Sequence, residues 1–76
     1  AAADVMKIVA DVAASHGMDK DKVLGRGQWR DVAKARREAM HRIWRDARLG
    51  VTEIARIFNR TPSAVSQAIR VLEQGS

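Results

Sequence analysis

The sequence predicts a small all-α bundle of four to five helices. Good helix formers dominate its 76 residues, and a single proline, a single phenylalanine and the absence of tyrosine disfavour a β fold. Apolar residues also recur three and four positions apart in several separate segments, which is the spacing of one helix face. A chain of this length buries one modest core, so we expect a single domain over residues 1–76.

Two helical segments are predicted in the N-terminal third. The first runs over about residues 4–16 and ends at Gly17, since glycine readily takes the left-handed conformation that ends a helix. A short turn of helix follows, with Asp19 or Asp21 as its cap and Val23–Leu24 at its buried end. The apolar positions of the first helix are Val5, Ile8, Val9 and Val12.

A long third helix is predicted over about residues 29–48, after an exposed basic connection at residues 25–28. Trp44 lies at the edge of its apolar face. The inward positions of this helix are Val32, Ala35, Ala39, Met40, Ile43 and Ala47.

The opposite side of the long helix carries a stripe of basic residues. Its members, spaced four, three, four, four and three apart, are Arg30, Lys34, Arg37, His41, Arg45 and Arg48. Stacked like charges destabilise an isolated helix, and a phosphate backbone alongside would turn that repulsion into binding energy. The net charge is +5, and eleven of the fourteen lysines and arginines lie between Lys22 and Arg60. A solvated helix face is the alternative interpretation.

Residues 51–73 have the residue pattern of a DNA-binding helix-turn-helix. Thr52 is the predicted cap of the first helix, whose Ile54 and Phe58 share one face. Ala55 is small enough to let a second helix cross closely. A plain helical hairpin in a small bundle would show the same spacing.

The second helix of this pattern is predicted over residues 61–73. Asn59 tolerates the left-handed conformation that ends the preceding helix, Thr61 suits the N-cap, and Pro62 suits the first helical position. Its apolar face, pointing back at the first helix, consists of Val65, Ile69 and Leu72. We expect one buried cluster of Ile54, Phe58, Val65 and Leu72.

The outward face of the second helix is small or polar, as entry into the major groove requires. Its expected base-reading residues are Thr61, Ser63, Ala64, Ser66 and Gln67. Gln67 can form two hydrogen bonds with adenine, and Ala64 can touch a thymine methyl group. Arg26 is expected in the minor groove, while the expected phosphate contacts are Arg30, Lys34, Arg37, Arg60 and Arg70.

Five segments together resemble a known family. They are the short helix ending in Val23-Leu24-Gly25, the basic loop Arg26–Arg30, the run Ala35–Met40, the segment Val51–Phe58 and the closing helix to Glu73. From Val9 to Glu73 the chain resembles the C-terminal DNA-binding domain of the bacterial replication initiator DnaA and related transposase-associated domains. The resemblance implies a Trp-repressor-like all-α fold with a helix-turn-helix.

The resemblance also implies roles for individual basic residues. Arg30, Lys34 and Arg36 match positions that hold phosphates in that family, whereas the position of the minor-groove arginine falls on Gln28, so that Arg26 or Arg30 would have to substitute. The base-reading signature of the initiator is replaced here by Asn59–Val65. The resemblance therefore implies the fold and not the target sequence.

Other classes of function find little support in the sequence. There is no cysteine, and His16 and His41 lie far apart without carboxylates at metal-ligand spacing, so we expect no metal, no cofactor and no catalytic site. No apolar run is long enough to cross a membrane. A basic membrane-surface binder is disfavoured because the basic stripe lacks an adjacent exposed apolar face.

The sequence thus predicts a non-enzymatic, sequence-specific domain for double-stranded DNA, located in the cytoplasm with the bacterial nucleoid. Its partners would be DNA and other domains of a longer parent chain. The alternative is a helical protein-interaction module of a larger replication, transposition or phage assembly. An exposed apolar patch around Trp44 or Val71 would favour that alternative.

Overall fold

The computed structural model describes residues 2–25 and 30–75, and all regular structure in these ranges is helical. The helices are α1 (Ala2–Ser15), α2 (Lys20–Leu24), α3 (Arg30–Arg42), α4 (Val51–Phe58) and α5 (Pro62–Gly75), and a π-helical turn over Ile43–Ala47 continues α3. The predicted all-α bundle is confirmed. Arg26 and Trp29, to which the sequence assigned a groove contact and the start of the long helix, lie outside the described residues.

The N-terminal pair of helices follows the sequence prediction closely. Gly17 takes a φ of +68°, which a side chain would strain, and the chain turns there after Ser15. The turn is closed by a 2.9 Å hydrogen bond from the Met18 N–H to the Ala13 carbonyl. Asp19 occupies the N-cap of α2, although its side chain forms no capping hydrogen bond.

The long helix is not one continuous α-helix. It changes to π-helical geometry at Ile43 and ends at Arg48, which has a left-handed φ of 58°. A π-helix has more residues per turn, so positions after Ile43 no longer continue the angular spacing of α3. The predicted basic stripe therefore holds within α3 for Arg30, Lys34, Arg37 and His41, and its continuation to Arg45 and Arg48 on the same line is wrong.

The connection between α4 and α5 is set by local hydrogen bonds. Asn59 is left-handed with a φ of 55°, and the next residue, Arg60, donates its N–H to the Ala55 carbonyl at 2.8 Å. Thr61 caps α5, because its Oγ1 accepts a 3.2 Å hydrogen bond from the Ala64 N–H. These predictions are confirmed.

The start of α4 differs from the prediction. Gly50 is the N-cap residue in extended geometry, and its carbonyl accepts the Ile54 N–H at 3.1 Å. Thr52 is already the second helical residue, so its predicted capping role is wrong. The helix begins early because the left-handed Arg48 has turned the chain before Gly50.

One hydrophobic core joins the helices. Its largest fully buried side chains are Phe58, Ile43, Ile54, Val9, Val12, Val23 and Val65. Helix α3 packs against α1, α2 and α5, and α5 also packs against α4. No helix in the described ranges, 2–25 and 30–75, is long and apolar enough to span a membrane.

Leu72 is the exception among the predicted core residues. It is half-buried and lies outside the core cluster, whereas Ile69 and Ala68 fill the inward face of α5 beside Val65. The end of α5 runs along the polar side of α3, and Leu72 there borders the same cleft as Arg42. The predicted burial of Leu72 is therefore wrong.

Candidate nucleic-acid interface

The outward face of α5 is a continuous exposed surface. Ser63, Ser66, Gln67 and Arg70 recur at helical spacing, and all four are exposed. Together with Pro62 they line a shallow depression of about 420 Å³. The first turn of α5 carries no acidic residue. This face is therefore small, polar and free of negative charge at the end where the helix dipole is positive.

Thr61 is the N-cap residue of α5 and lies at the edge of this surface. Its Oγ1 accepts the Ala64 N–H and so fixes the start of α5. A hydroxyl that accepts one hydrogen bond can still donate its own hydrogen. Thr61 is exposed and can therefore present this donor outward while it caps the helix.

A groove of about 330 Å³ lies between α3 and α5. Arg37 of α3 and Arg60 of the turn border it together with Ala64 and Gln67 of α5. The fold thus brings these two predicted phosphate contacts, together with Arg36, beside two of the predicted base-reading residues. Their sequence separation gave no sign of this arrangement.

The remaining basic residues predicted to contact phosphates lie at two other places. Arg30 and Lys34 are exposed on the first turns of α3, and the spacing puts them on the same helix face as Arg37. Arg70 is exposed in the depression on α5. Cations therefore flank the outward face of α5 on the side of α3 and along α5 itself.

Arg36 departs from the role that the sequence assigned to it. Its side chain is only 6% exposed, and it donates from Nε to the Val23 carbonyl at 3.0 Å and from Nη2 to the Gly25 carbonyl at 2.6 Å. Burial, and after it the positive charge of Arg60, lowers the pKa of the Arg36 guanidinium. The guanidinium is occupied in joining α2 to α3, so the structure does not place Arg36 among the exposed phosphate contacts.

The C-terminal part of the predicted basic stripe is engaged with carboxylates. Arg45 donates from Nε to Asp46 Oδ1 at 3.0 Å, and this hydrogen bond holds the pKa of the Asp46 carboxyl below its usual value. His41 Nε2 lies 2.9 Å from Glu73 Oε1, and its ring lies 6.1 Å from that of Trp44, measured between centroids. The carboxylates of Asp46 and Glu73 therefore offset part of the positive charge at this end of the predicted stripe.

The two histidines take part in helix-to-helix contacts. His16 Nε2 lies 2.8 Å from Glu38 Oε2 and so links the end of α1 to α3, as His41 links α3 to α5. Within residues 2–25 and 30–75, no three histidine, cysteine or acidic side chains come together in a group that could hold a metal ion.

Four apolar residues also line the groove, namely Ala33, Met40, Ala68 and Val71. The sequence analysis did not single out Ala33 or Ala68, and it named Met40 and Val71 without placing them in a groove. A signal for them does exist, because Ala33 and Met40 share the helix face of Arg37, and Ala68 and Val71 share that of Ala64. It could be used only if the pairing of α3 with α5 were known.

The comparisons with known proteins agree with this architecture. The chain is 33% identical over 69 residues to the chromosomal replication initiator protein DnaA 1 of Chlamydia pneumoniae. The match covers 91% of the chain and 15% of that relative, in its C-terminal region. No protein-family model and no solved structure matches the chain. On this similarity and its all-helical fold, the chain is a DnaA C-terminal-like domain.

Proposed function

We propose that this chain is a sequence-specific binding domain for double-stranded DNA. In this proposal α4 and α5 form a helix-turn-helix of the Trp-repressor-like type, and α5 enters the major groove. The observation that carries the proposal is the exposed, uncharged face formed by Ser63, Ser66 and Gln67, with Arg37 and Arg70 beside it. Similarity to a chromosomal replication initiator supports it.

The contacts divide into two groups by chemistry. The proposed base readers are Thr61, Ser63, Ala64, Ser66 and Gln67, whose side chains are short or can form paired hydrogen bonds. The proposed phosphate contacts are Arg30, Lys34, Arg37, Arg60 and Arg70, and Arg26 is proposed for the minor groove. The domain has no catalytic role of its own in this proposal.

The chain spans about 15% of the length of the relative that it matches, so its wider context is also proposed. A DNA-binding unit of this size would direct a larger replication or transposition protein to its site on the chromosome. It would act in the cytoplasm, at the nucleoid.

The decisive experiment compares two glutamines of the same helix. Duplexes selected from a random pool provide the best site, and Gln67→Ala is titrated against that site and against a scrambled duplex. We expect Gln67→Ala to weaken binding to the selected site by roughly 1–3 kcal/mol and binding to the scrambled duplex much less. Gln74→Ala is the matched control, since Gln74 is exposed at the far end of α5. An equal loss on both duplexes would show that α5 is not the reader.

The exposure of two large apolar side chains favours a second candidate, a protein-interaction module. Trp44 is 40% exposed and Val71 is 51% exposed. Val71 borders the groove between α3 and α5, whereas Trp44 lies beside His41. Two results together would establish this role instead. The chain would select no duplex from the random pool, and it would bind another domain of its parent protein with an affinity that Trp44→Ala lowers.

A further inference from the structure

Arg60 presents an unusual hydrogen-bonding edge. Its Nε and Nη2 atoms are buried and have no hydrogen-bond partner among residues 2–25 and 30–75. These two nitrogens lie along the same edge of the guanidinium, which is the edge that binds two oxygens of a phosphate or carboxylate at once. A buried donor without a partner costs free energy, so we expect this edge to bind a hydrogen-bond acceptor.

The surroundings of this edge are positively charged. Arg36, Arg37 and Arg60 all border the groove between α3 and α5, and none of the described residues that line this groove is acidic. Arg36 is close enough for the charge of Arg60 to lower its pKa. Two adjacent guanidinium groups in a partly desolvated groove repel one another, and a bound anion would relieve that repulsion.

The groove also lies in the right place for DNA. Gln67 and Ala64, both proposed base readers, border it on the α5 side. An anion held here would therefore sit next to the proposed reading surface, where a phosphate of the contacted strand would pass. A phosphodiester offers the two free oxygens that the Arg60 edge requires.

We propose that the groove between α3 and α5 holds one phosphodiester group of the DNA backbone, bound by the Nε–Nη2 edge of Arg60. Arg36 borders the same groove and is held by its hydrogen bonds to the carbonyls of Val23 and Gly25, and it acts as a positioning residue for Arg60. This inference rests on the proposed function and adds to it a specific site for one phosphate.

Binding at this site requires a small rearrangement. The Arg60 edge is covered in the structure, so the phosphate reaches it only when lining side chains move. Arg37 and Gln67 have long, exposed side chains with several rotatable bonds, and are the lining residues best able to turn aside. Capture of the phosphate would then also orient Gln67 towards the bases.

The test replaces single phosphates of the selected duplex by neutral methylphosphonates, one position at a time. At one position the unmodified chain should lose roughly tenfold or more in affinity, as expected for a charged hydrogen-bonded contact. Arg60→Gln should bind the native duplex correspondingly more weakly and be insensitive to the same replacement. Arg60→Lys, which keeps the charge and loses the paired donors, should also lose most of this sensitivity.

The control variant is Lys7→Gln, which removes one exposed charge on α1, away from the groove. It should keep the full sensitivity at the critical position. If Arg60→Gln stays as sensitive as the unmodified chain, another residue holds that phosphate and the inference is overturned, while the proposed function stands. If the unmodified chain binds no duplex, the proposed function itself fails.

A measurement on the unmodified chain avoids any effect of the substitutions on folding. The side-chain Nε–Hε resonance of Arg60 should shift with the native duplex and not with the duplex neutralised at the critical position. Inorganic phosphate at equal ionic strength should shift it far less. An Arg60 resonance that ignores the native duplex, or that saturates with inorganic phosphate alone, would overturn the inference.

Discussion

Arg36 and Arg37 are neighbouring arginines with opposite surroundings. Arg36 is buried and donates hydrogen bonds to two carbonyls at the C-terminal end of α2, whereas Arg37 is exposed on the groove. A charged residue is rarely this buried unless its hydrogen bonds are satisfied. We therefore assign Arg36 to the architecture of the domain and Arg37 to its binding surface.

Matched substitutions separate these two roles. Arg36→Met should lower the free energy of unfolding by about 1–3 kcal/mol, because the Val23 and Gly25 carbonyls lose their donor. Arg37→Met should change it by less than about 0.5 kcal/mol, as exposed substitutions usually do. Urea unfolding measures both. Equal stability of the two variants would contradict the structural role of Arg36.

Arg48 and Asn59 share the left-handed conformation but differ in how well they tolerate it. Their φ values are 58° and 55°. Arginine carries a steric cost there of roughly 1–2 kcal/mol, and glycine avoids it at an entropic cost of roughly 0.5–1 kcal/mol. Arg48→Gly should therefore raise the stability by about 0.5–1 kcal/mol in thermal unfolding. Asn59→Gly is the control and should change little, and destabilisation by Arg48→Gly would show that its side chain contributes packing.

Phe58 of α4 lies in the hydrophobic core where α4 packs against α5. Phe58 is 1% exposed and is the largest of the fully buried side chains. Ala55, on the same helix, is also buried, and its small side chain allows close packing of a neighbouring helix. These buried residues of α4 therefore support α5 on the side opposite to its proposed base-reading surface.

Removing the Phe58 ring should strongly destabilise the domain. We expect Phe58→Ala to cost about 3–5 kcal/mol, a large part of the stability of a small domain. Val71→Ala, a truncation at a site that is 51% exposed, serves as the control and should cost far less. A shift of only a degree or two in the melting temperature of Phe58→Ala would contradict this role of the ring.

The sequence predicted those features that local spacing determines. Ile54 and Phe58 are four apart and buried, and Thr61 and Pro62 start α5 as expected. It missed features that depend on remote partners. The burial of Arg36 depends on carbonyls more than ten residues earlier in the chain, and nothing in its own segment indicates them.

The same reasoning explains the two misassigned helix features. Leu72 continues the apolar spacing of α5, but the helix has by then passed the core and lies along the charged side of α3. The π-helical turn at Ile43–Ala47 alters the angular spacing without any break in the pattern of good helix formers. For the candidate site, residue types and faces were predictable, whereas the groove was not.

The positive charge of the whole domain predicts how strongly its affinity for DNA depends on the salt concentration. The net charge is +5, and the exposed cations flank α5 on the α3 side. If about five side chains neutralise phosphates, log K should fall against log salt with a slope of roughly −4 to −5. Fluorescence titrations of a labelled duplex between about 50 and 300 mM salt measure this slope. A slope near zero would contradict DNA binding through this surface.

Helix α3 packs against α1, α2 and α5, and this central place has a consequence for how the domain opens. Opening α1 leaves the packing of α3 and α4 against α5 intact, whereas opening α3 disrupts the packing of α1, α2 and α5 at once. Amide protons of α3, such as those of Ala39 and Met40, should then exchange with deuterium only through global unfolding. Those of α1 should exchange earlier through local opening. Amide exchange followed by NMR would test this order, and faster exchange in α3 than in α1 would contradict it.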